Sequence, residues 1–467
     1  MTLRIPHLYN CNEWNGCDSI SQLGASIKNL KNVMLIGNGF DIALGKNTRY
    51  QDFLLYLFIL ALFIKLKKSK PHEYQMIFFN VKNLFESQKS DFELYRDILD
   101  IVYQRLIERD LCFGFLKKDS NFFFNFLLVI VFQVRLDEVF KEFEINFSNL
   151  YSFNFISIFS FWMPSFTSSQ EVSSFDFAKL SFDAVNHFSS DLNIEIENNN
   201  IYGWMDIEKL IEYIVLNNNF GEDQFLSAFQ KELKFRGIYN NIELSNIVYK
   251  SLSDFTDEFC YFVTNQQSLK CSSYSNFSRF NSVTNFYDID VNCNSSFTEN
   301  EYDELCFKNF VSHVIDFNYS DTSEHTFVSS RLSESCIYHV NGRGSNKTAI
   351  FGYTNSDQQI VNREAFKFEK RTQRLIKHVQ SIDYEALTSK LFNLFIFGHS
   401  CSPADKDVFE PLLTSNNLNM VVVYCYSKQD KLSIYKNLCE ILGYKLMDHL
   451  TRQTEKLSKR MFWAIRK

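Results

Sequence analysis

The sequence predicts an α/β protein in which a doubly wound parallel sheet is interrupted by a large, mainly α-helical insertion. Short apolar runs that end abruptly in glycine or polar residues lie near both ends of the chain. Between them, apolar and charged residues recur at the three- and four-residue spacing of helices. This pattern indicates one sheet whose first strand is separated from the others by a helical region.

The first strand is predicted at residues 33–36, and it ends at the turn Gly37-Asn38-Gly39, before Phe40 and Asp41 begin a helix. Glycine adopts backbone conformations that other residues avoid, and it leaves room for a ligand to approach the main chain. The N-terminus of a helix offers unpaired N–H groups and a partial positive charge, which suits a phosphate. Since the third glycine of the dinucleotide fingerprint is missing, a turn without a ligand remains the alternative, with Asp41 capping its own helix.

Three further strands are predicted to end in small or polar residues, at Asn318-Tyr319-Ser320-Asp321, at Asn341-Gly342 and at Gly398-His399-Ser400. Ligands of open parallel sheets bind outside the carboxyl ends of the strands. Together with the first glycine turn, these segments are therefore expected to converge in one crevice.

The region after the first helix start is predicted to be mainly helical. Residues 50–66 have the near-continuous apolar character of a buried helix, and helical spacing extends from residue 72 to about residue 146. Residues 264–300 are rich in serine and asparagine and are predicted to form a loop region. The chain therefore divides into a sheet domain of residues 1–60 and 305–467 and a helical insertion of residues 61–304.

The sheet is predicted to resume after the insertion. Strands are expected at residues 313–317, 336–340, 348–352, 392–397 and 419–425, with a charged helix at residues 363–378. Two amphipathic helices are predicted at residues 428–442 and 446–466.

Composition limits the classes of function. A net charge of −7 gives no general attraction to a nucleic-acid backbone, so non-specific DNA or RNA binding is not expected. Eleven cysteines without a C-x-x-C pair indicate reduced thiols in a cytoplasmic protein, and no metal is expected. The most apolar runs, residues 53–64 and 122–134, are shorter than the ~20 residues of a membrane-spanning helix, so no membrane association is expected.

The motifs together resemble those of a known family. GNGFD is followed by Gly45, Thr48, Tyr50, Asp52 and Phe53, then by Trp204, Asp206 and Glu208, and then by FNYSD, HVNG and FGHSCSPAD. This order is similar to that of the AbiH family of bacterial abortive-infection proteins, which act in phage resistance. The AbiH motifs in turn resemble the sirtuin-like NAD-binding domains of anti-phage systems, which implies a Rossmann-like (sirtuin-like) sheet.

The resemblance implies an anti-phage effector that binds NAD, or a related nucleotide, as a substrate and hydrolyses it in response to a phage-derived trigger. It identifies neither the trigger nor the oligomeric state, and it is compatible with a homo-oligomer. Breaking the glycosidic bond to nicotinamide passes through an oxocarbenium-like state. The site therefore needs groups that orient water and stabilise developing positive charge.

The catalytic candidates are Asn318, His339, Asn341 and Asp321. Asn318 presents a carboxamide that both donates and accepts hydrogen bonds, Asp321 is a candidate acid, and His339 is a candidate base because imidazole titrates near neutral pH. The nucleotide-binding candidates are Gly37, Asn38, Gly39, Phe40, Asp41, Gly398, His399, Ser400 and Asp405. Asp405 follows Pro403, as acidic residues do in the first turn of a helix, so a structural role is its alternative.

Two departures from the sirtuin-like pattern leave the catalytic step open. Ser320 stands where the sirtuin-like motif has an acid, and Asp321 comes one residue later. Asn341 precedes Gly342 where the motif has histidine, and His339 lies two positions earlier. If turnover needs the adjacent histidine, the chain is a nucleotide-sensing or partner-binding defence module without turnover.

Overall fold

One sheet runs through the parts of the chain that the computed structural model describes. Those parts are residues 30–46, 48–69, 71–86, 93–107, 211, 241–266, 287–289, 311–327, 332–354, 365–451 and 461–466. Their strands are β1 (Lys31–Ile36), β2 (Tyr287–Ile289), β3 (Val311–Asp316), β4 (Ile337–His339), β5 (Phe392–Phe397), β6 (Leu418–Cys425) and β7 (Met461–Arg466). Neighbouring strands are parallel, except that β2 pairs antiparallel with β7. The α/β class and the parallel sheet are thus confirmed.

Strand order places β1 in the middle of the sheet. The order is β2-β7-β6-β5-β1-β3-β4. After β1, the chain adds β3 and β4 on one side and then β5, β6 and β7 on the other. The direction of strand addition therefore reverses between β1 and β5, the kind of position at which open α/β sheets bind ligands. The domain boundaries near residues 60 and 305 stay a prediction.

Alternate side chains of β1 pack into two apolar layers, one on each face of the sheet. Val33 and Leu35 belong to one layer, and Met34 and Ile36 belong to the other. A central parallel strand is buried on both faces, so it has a continuous apolar run and no polar alternation. This burial explains why so short a run of sequence was sufficient to predict the strand.

Helices account for most of the other described residues. They are α1 (Asn38–Ala43), α2 (Tyr50–Ser69), α3 (Tyr74–Glu86), α4 (Glu93–Ile107), α5 (Asn241–Thr264), α6 (Thr322–Phe327), α7 (Lys370–Ile376), α8 (Tyr384–Thr388), α9 (Lys406–Leu413), α10 (Lys428–Leu442) and α11 (Tyr444–Thr451). Helix α2 confirms the predicted helix at residues 50–66, and α10 confirms the one at residues 428–442. Among the described residues, no helix combines the length and the apolar character that crossing a membrane requires.

An aromatic cluster joins the helices to one end of the sheet. Phe53 of α2 packs edge-on against Phe259 of α5, with ring centroids 5.0 Å apart. Phe259 in turn contacts Tyr319, which follows β3, at 4.9 Å and Phe351 at 5.1 Å. Such aromatic pairs contribute about 0.5–1.5 kcal/mol each beyond their burial. The cluster therefore holds the C-terminal part of α5 beside the carboxyl end of β3.

A buried carboxylate connects three of the helices. Glu258 of α5 accepts a hydrogen bond from the Tyr56 hydroxyl of α2 at 2.5 Å and pairs with the Arg105 guanidinium of α4 at 2.9 Å. Glu258 is 4% exposed and Tyr56 is fully buried. A buried charge is tolerated when it is paired and hydrogen-bonded, as this one is on both oxygens. The contact fixes α2, α4 and α5 relative to one another.

Two predictions that involve the edge of the sheet are wrong. Residues 461–466 form β7, which pairs with β6, and are not part of the amphipathic helix predicted at residues 446–466. Tyr287–Ile289, inside the predicted loop region, forms β2 and pairs with β7. Both strands depend on partners that are distant in sequence, which local periodicity does not show.

Residues 348–352 do not form the predicted strand. The Ile350 N–H donates to the Asn341 carbonyl at 2.9 Å, and the Ile350 carbonyl accepts from the Tyr319 hydroxyl at 2.9 Å, so these backbone groups do not belong to a strand ladder. The predicted helix at residues 363–378 is also interrupted in its described part. Glu369 has an extended backbone and bridges to Tyr353, which separates a 3-10 helix at Phe366–Phe368 from α7.

Candidate functional site

The turn after β1 packs directly on the turn after β5. The Gly37 N–H donates to the Phe397 carbonyl at 3.0 Å, and the Gly39 N–H donates to the Gly398 carbonyl at 2.8 Å. A Cβ at Gly39 would lie 2.5 Å from the Gly398 Cα, and one at Gly37 would lie 2.6 Å from the Gly398 carbonyl oxygen. The glycines are thus required by the close approach of two backbone segments. Gly398 occupies the space beside Gly39 that the sequence suggested for a phosphate.

The other residues of the first turn have different surroundings. The Asn38 carboxamide oxygen accepts a hydrogen bond from the Thr48 hydroxyl at 2.6 Å. The Phe40 ring belongs to the core and stacks on Phe327 at 5.8 Å. Asp41 is buried, and its Oδ1 has no hydrogen-bond partner among the described residues. Gly37 occupies the N-cap position of α1, so the alternative in which Asp41 caps this helix is wrong.

His399 and Asp405 form a buried charged network with Lys370. The Lys370 ammonium lies 2.7 Å from Asp405 Oδ1, and His399 Nε2 lies 3.5 Å from Asp405 Oδ2. His399 Nδ1 accepts from the Cys401 N–H at 2.8 Å, so the ring proton is on Nε2, facing Asp405. Burial acts to raise the pKa of Asp405, but the Lys370 and His399 contacts outweigh it and hold that pKa well below its usual range.

Asp405 lies at the N-cap position of α9, but its side chain makes no capping hydrogen bond. The carboxylate pairs with Lys370 instead. Its binding role and its structural alternative both stay predictions. Ser400 is exposed, and its carbonyl accepts from the Asn437 side chain at 2.9 Å. The binding roles predicted for the segments at Gly37 and Gly398 stay predictions.

A second polar cluster lies at the carboxyl ends of β3 and β4. His339 Nδ1 is 3.5 Å from Asp316 Oδ2, and His339 Nε2 is 3.3 Å from Glu324 Oε1. Asp316 Oδ1 accepts from the Asn318 N–H at 2.7 Å, and its Oδ2 accepts from the Ser323 hydroxyl. Burial raises the pKa of Asp316 to about 7, although His339 acts to lower it. This carboxyl group therefore changes its protonation near neutral pH.

Two asparagine side chains in this cluster have unsatisfied polar atoms. Asn318 is 4% exposed, and neither its Oδ1 nor its Nδ2 has a hydrogen-bond partner among the described residues. Asn341 donates from Nδ2 to the Phe317 carbonyl at 3.2 Å, but within the same part of the chain its Oδ1 has no partner. Because buried polar groups are nearly always hydrogen-bonded, these atoms are suited to contact a ligand.

Asp321 and its neighbour Ser320 have different roles. Asp321 accepts from the Ser345 hydroxyl at 2.9 Å and lies 3.9 Å from the Arg343 guanidinium, which also pairs with Glu324. Ser320 exchanges a hydrogen bond with the Thr322 hydroxyl at 2.7 Å, at the start of α6. Ser320, which stands where an acid was expected, therefore forms its hydrogen bond within its own segment, while Asp321 faces outward.

A cleft of about 510 Å³ lies between this cluster and the helices, and we refer to it as the β3 cleft. Its walls come from α4, from the C-terminal end of α5 and from the segment that follows β3. Its lining includes Lys46, Gln266, Tyr319, Ser320, Asp321 and Ser345. Asp321 is a catalytic candidate that lines the cleft directly, and Asn318 immediately precedes the lining segment. The glycine turns are not among its described lining residues.

The sequence did not identify Asp316, Glu324, Arg343 or Lys46. Asp316 is the last residue of β3. In the sequence, the signal available for it was a lone acidic residue at the end of an apolar run. Glu324 and Arg343 become part of the site through α6 and the turn after β4, which bring them together. Lys46 lies only a few residues beyond GNGFD, but the sequence does not show that it lines a cleft together with residues of α4 and α5.

Metal binding is not indicated in the part of the chain that the structure describes. No group of three or more His, Cys, Asp or Glu side chains there is arranged to hold an ion. The motif residues Trp204, Asp206 and Glu208 lie outside the described residues.

The fold and the polar cluster define a class, which is an α/β protein with a central parallel sheet and a polar cleft at the carboxyl ends of its strands. The family follows from the sequence comparison. The model of the family described as Bacteriophage abortive infection AbiH matches residues 33–426, and the chain therefore belongs to the AbiH family. Neither the curated proteins nor the solved structures gave a match.

The contact between the two glycine turns gives a first prediction. Gly39→Ala is expected to lower the free energy of unfolding by about 3 kcal/mol, because the new Cβ meets backbone that has little room to move. Asn416→Ala is the control, since Asn416 is exposed in the turn before β6. It should change the free energy of unfolding by no more than about 0.5 kcal/mol. Urea unfolding measures both, and equal losses would contradict direct packing of the turns.

The buried carboxyl of Asp316 gives a second prediction, because its folded pKa of about 7 lies above its ordinary 3.8. Between these values the unfolded chain loses the proton first, so the contribution of Asp316 to stability falls as pH rises. The Asp316→Asn variant lacks this titration. Its stability relative to the wild type should therefore rise by about 3 kcal/mol between pH 4 and pH 7, with a slope of up to about 1.4 kcal/mol per pH unit in the middle of this range. A flat difference in urea unfolding across this range would contradict a protonated Asp316.

Proposed function

We propose that this AbiH-family chain is an abortive-infection effector whose cleft at the carboxyl edge of a Rossmann-like (sirtuin-like) sheet binds and hydrolyses NAD or a related nucleotide. Membership of the family indicates the role in phage abortive infection. The observation that carries the proposed ligand is the Asn318 carboxamide, which is 4% exposed and unpartnered among the described residues, directly before the lining of the β3 cleft.

Strand order supports the proposed relationship to nucleotide-binding sheets. Six neighbouring strands run parallel, in the spatial order β4-β3-β1-β5-β6-β7. When these six are renumbered 1 to 6 by their order along the chain, the spatial order reads 3-2-1-4-5-6. This is the order of doubly wound dinucleotide-binding sheets, in which the ligand lies outside the carboxyl ends of the strands. Asn318, Asp321, His339 and Asn341 all follow or end strands at that edge.

The arrangement suggests a division of roles in hydrolysis. The glycosidic C1′–N bond to nicotinamide breaks, and a water oxygen forms the new bond to C1′ while the water loses a proton. Asp321 lines the cleft as a carboxylate that can accept this proton. Asn318 orients the ribose, and Asp316 positions Asn318 through the 2.7 Å hydrogen bond to its backbone N–H. His339 lies between Asp316 and Glu324 on the side of β4, within ion-pair distance of both, while neither ring nitrogen has a hydrogen-bond partner among the described residues.

One observation favours a second function, in which the chain binds a nucleotide without turnover. His339 is placed between two carboxylates, with each ring nitrogen within 3.5 Å of a carboxylate oxygen. It is not among the described lining residues of the β3 cleft. A histidine in this arrangement supports the structure of the site more readily than it activates water. The chain would then be a nucleotide-sensing module.

Nicotinamide release from NAD tests the proposal. The purified full chain should release nicotinamide, and Asn318→Ala should reduce the rate by about 100-fold or more because a preorganised polar group in a dry site is removed. Asn416→Ala is the matched control, since Asn416 is exposed in the turn before β6, away from the carboxyl ends of the strands. It should change the rate less than about twofold, within the ±0.5 kcal/mol of ordinary surface changes. Binding of NAD without any release would contradict hydrolysis and support the second function.

A further inference from the structure

We propose that the β3 cleft recognises adenine nucleotides, with the Gln266 carboxamide contacting the adenine edge and the Lys46 ammonium contacting a phosphate. The inference rests on the proposed function, in which this cleft is the nucleotide site, and it specifies the substrate class. It concerns binding alone, so it holds or fails independently of hydrolysis.

Gln266 is a buried polar side chain that lines the cleft. It is 6% exposed, and neither its Oε1 nor its Nε2 has a hydrogen-bond partner among the described residues. The turn that carries it is fixed, because the Asn265 N–H donates to the Tyr261 carbonyl at 3.1 Å and the Thr264 hydroxyl donates to the Cys260 carbonyl at 2.7 Å. Two unsatisfied polar atoms in a buried, fixed position favour a ligand that supplies both partners.

The chemistry of a carboxamide selects the base. It presents a donor and an acceptor side by side, which matches the N7 acceptor and the N6 amino donor of adenine. Hypoxanthine and guanine have a carbonyl oxygen at position 6, so the Gln266 Oε1 would face another acceptor. A good bidentate contact of this kind discriminates by about 1–3 kcal/mol, which corresponds to roughly 10-fold or more in affinity.

Lys46 places a buried amino group in the same cleft. Lys46 is 4% exposed and lines the cleft. Among the residues that the structure describes, no carboxylate lies within ion-pair distance of its side-chain nitrogen. Burial lowers the pKa of Lys46, whereas the more distant Asp41, Asp321 and Asp316 act to raise it. A buried cation is costly unless an anion accompanies it. A phosphate in the cleft would provide that anion.

The two groups come from distant parts of the chain. Lys46 follows α1 and the first glycine turn, and Gln266 follows α5. A nucleotide that contacts both would span the junction between the sheet and the helical region. A cleft of about 510 Å³ lies within the usual range of about 300–1,000 Å³ for small-molecule sites.

Calorimetry on the full chain with AMP, IMP and adenosine tests the inference without an engineered protein. AMP should bind at least about 10-fold more tightly than IMP, because IMP differs in the group at position 6. Equal affinities for AMP and IMP, or no AMP binding, would overturn it. This result is independent of NAD turnover. If the chain prefers AMP but releases no nicotinamide, the proposed hydrolysis is contradicted and the adenine recognition is not.

Variants then assign the contacts. Gln266→Leu keeps the side-chain size and should reduce the AMP-to-IMP ratio to within about threefold. Gln429→Leu is the matched control, because Gln429 is exposed on α10 and is not among the described lining residues of the cleft, and it should leave the ratio unchanged. Lys46→Met should weaken AMP by about 10-fold but adenosine by less than threefold, and Lys46→Arg should restore most AMP affinity. Thermal unfolding verifies that each variant is folded. A ratio unchanged by Gln266→Leu, or an equal loss for AMP and adenosine in Lys46→Met, would overturn the assignment.

Discussion

The direct backbone contact between the turns after β1 and β5 is the constraint on which the rest of the site depends. Gly39 and Gly398 approach so closely that neither tolerates a Cβ without movement of the backbone. This contact lies where strand order reverses, the position at which doubly wound sheets often admit a ligand. Backbone fills the space beside Gly39, and the β3 cleft lies beside the segment after β3 and the end of α5. The contact also fixes α1 and thereby the segment that carries Lys46.

The two polar clusters at the carboxyl edge differ in how fully they are satisfied. Around Asp405, the Lys370 ammonium and the His399 ring complete a buried network that ties α7 to the start of α9. Around Asp316, by contrast, the carboxyl has a pKa raised by burial, and the adjacent asparagine carboxamides keep unsatisfied atoms. A satisfied network stabilises a fold, whereas partly unsatisfied groups beside a cleft are typical of binding and catalytic sites. The second cluster is therefore where we place the function.

The sequence was sufficient for the central strands and insufficient for features that depend on distant partners. The run at residues 33–36 identified β1 because a strand buried on both faces is apolar throughout. β7 was missed because its strand character comes from pairing with β6. His399 was correctly placed at a strand end, but its Lys370 and Asp405 partners could not be inferred from the motif. Lys46 and Gln266 were missed because the cleft that they line is formed by segments that are distant in the sequence.

Hydrogen–deuterium exchange of the full chain, with and without saturating NAD, tests most directly the claim that the β3 cleft is the ligand site. Exchange should slow in peptides that cover residues 261–266 and 318–321, because ligand contacts would stabilise the end of α5 and the segment after β3. Peptides from α10, which does not line the cleft, should be unchanged. Protection confined to other parts of the chain, or no protection at any NAD concentration, would contradict the assignment of the cleft.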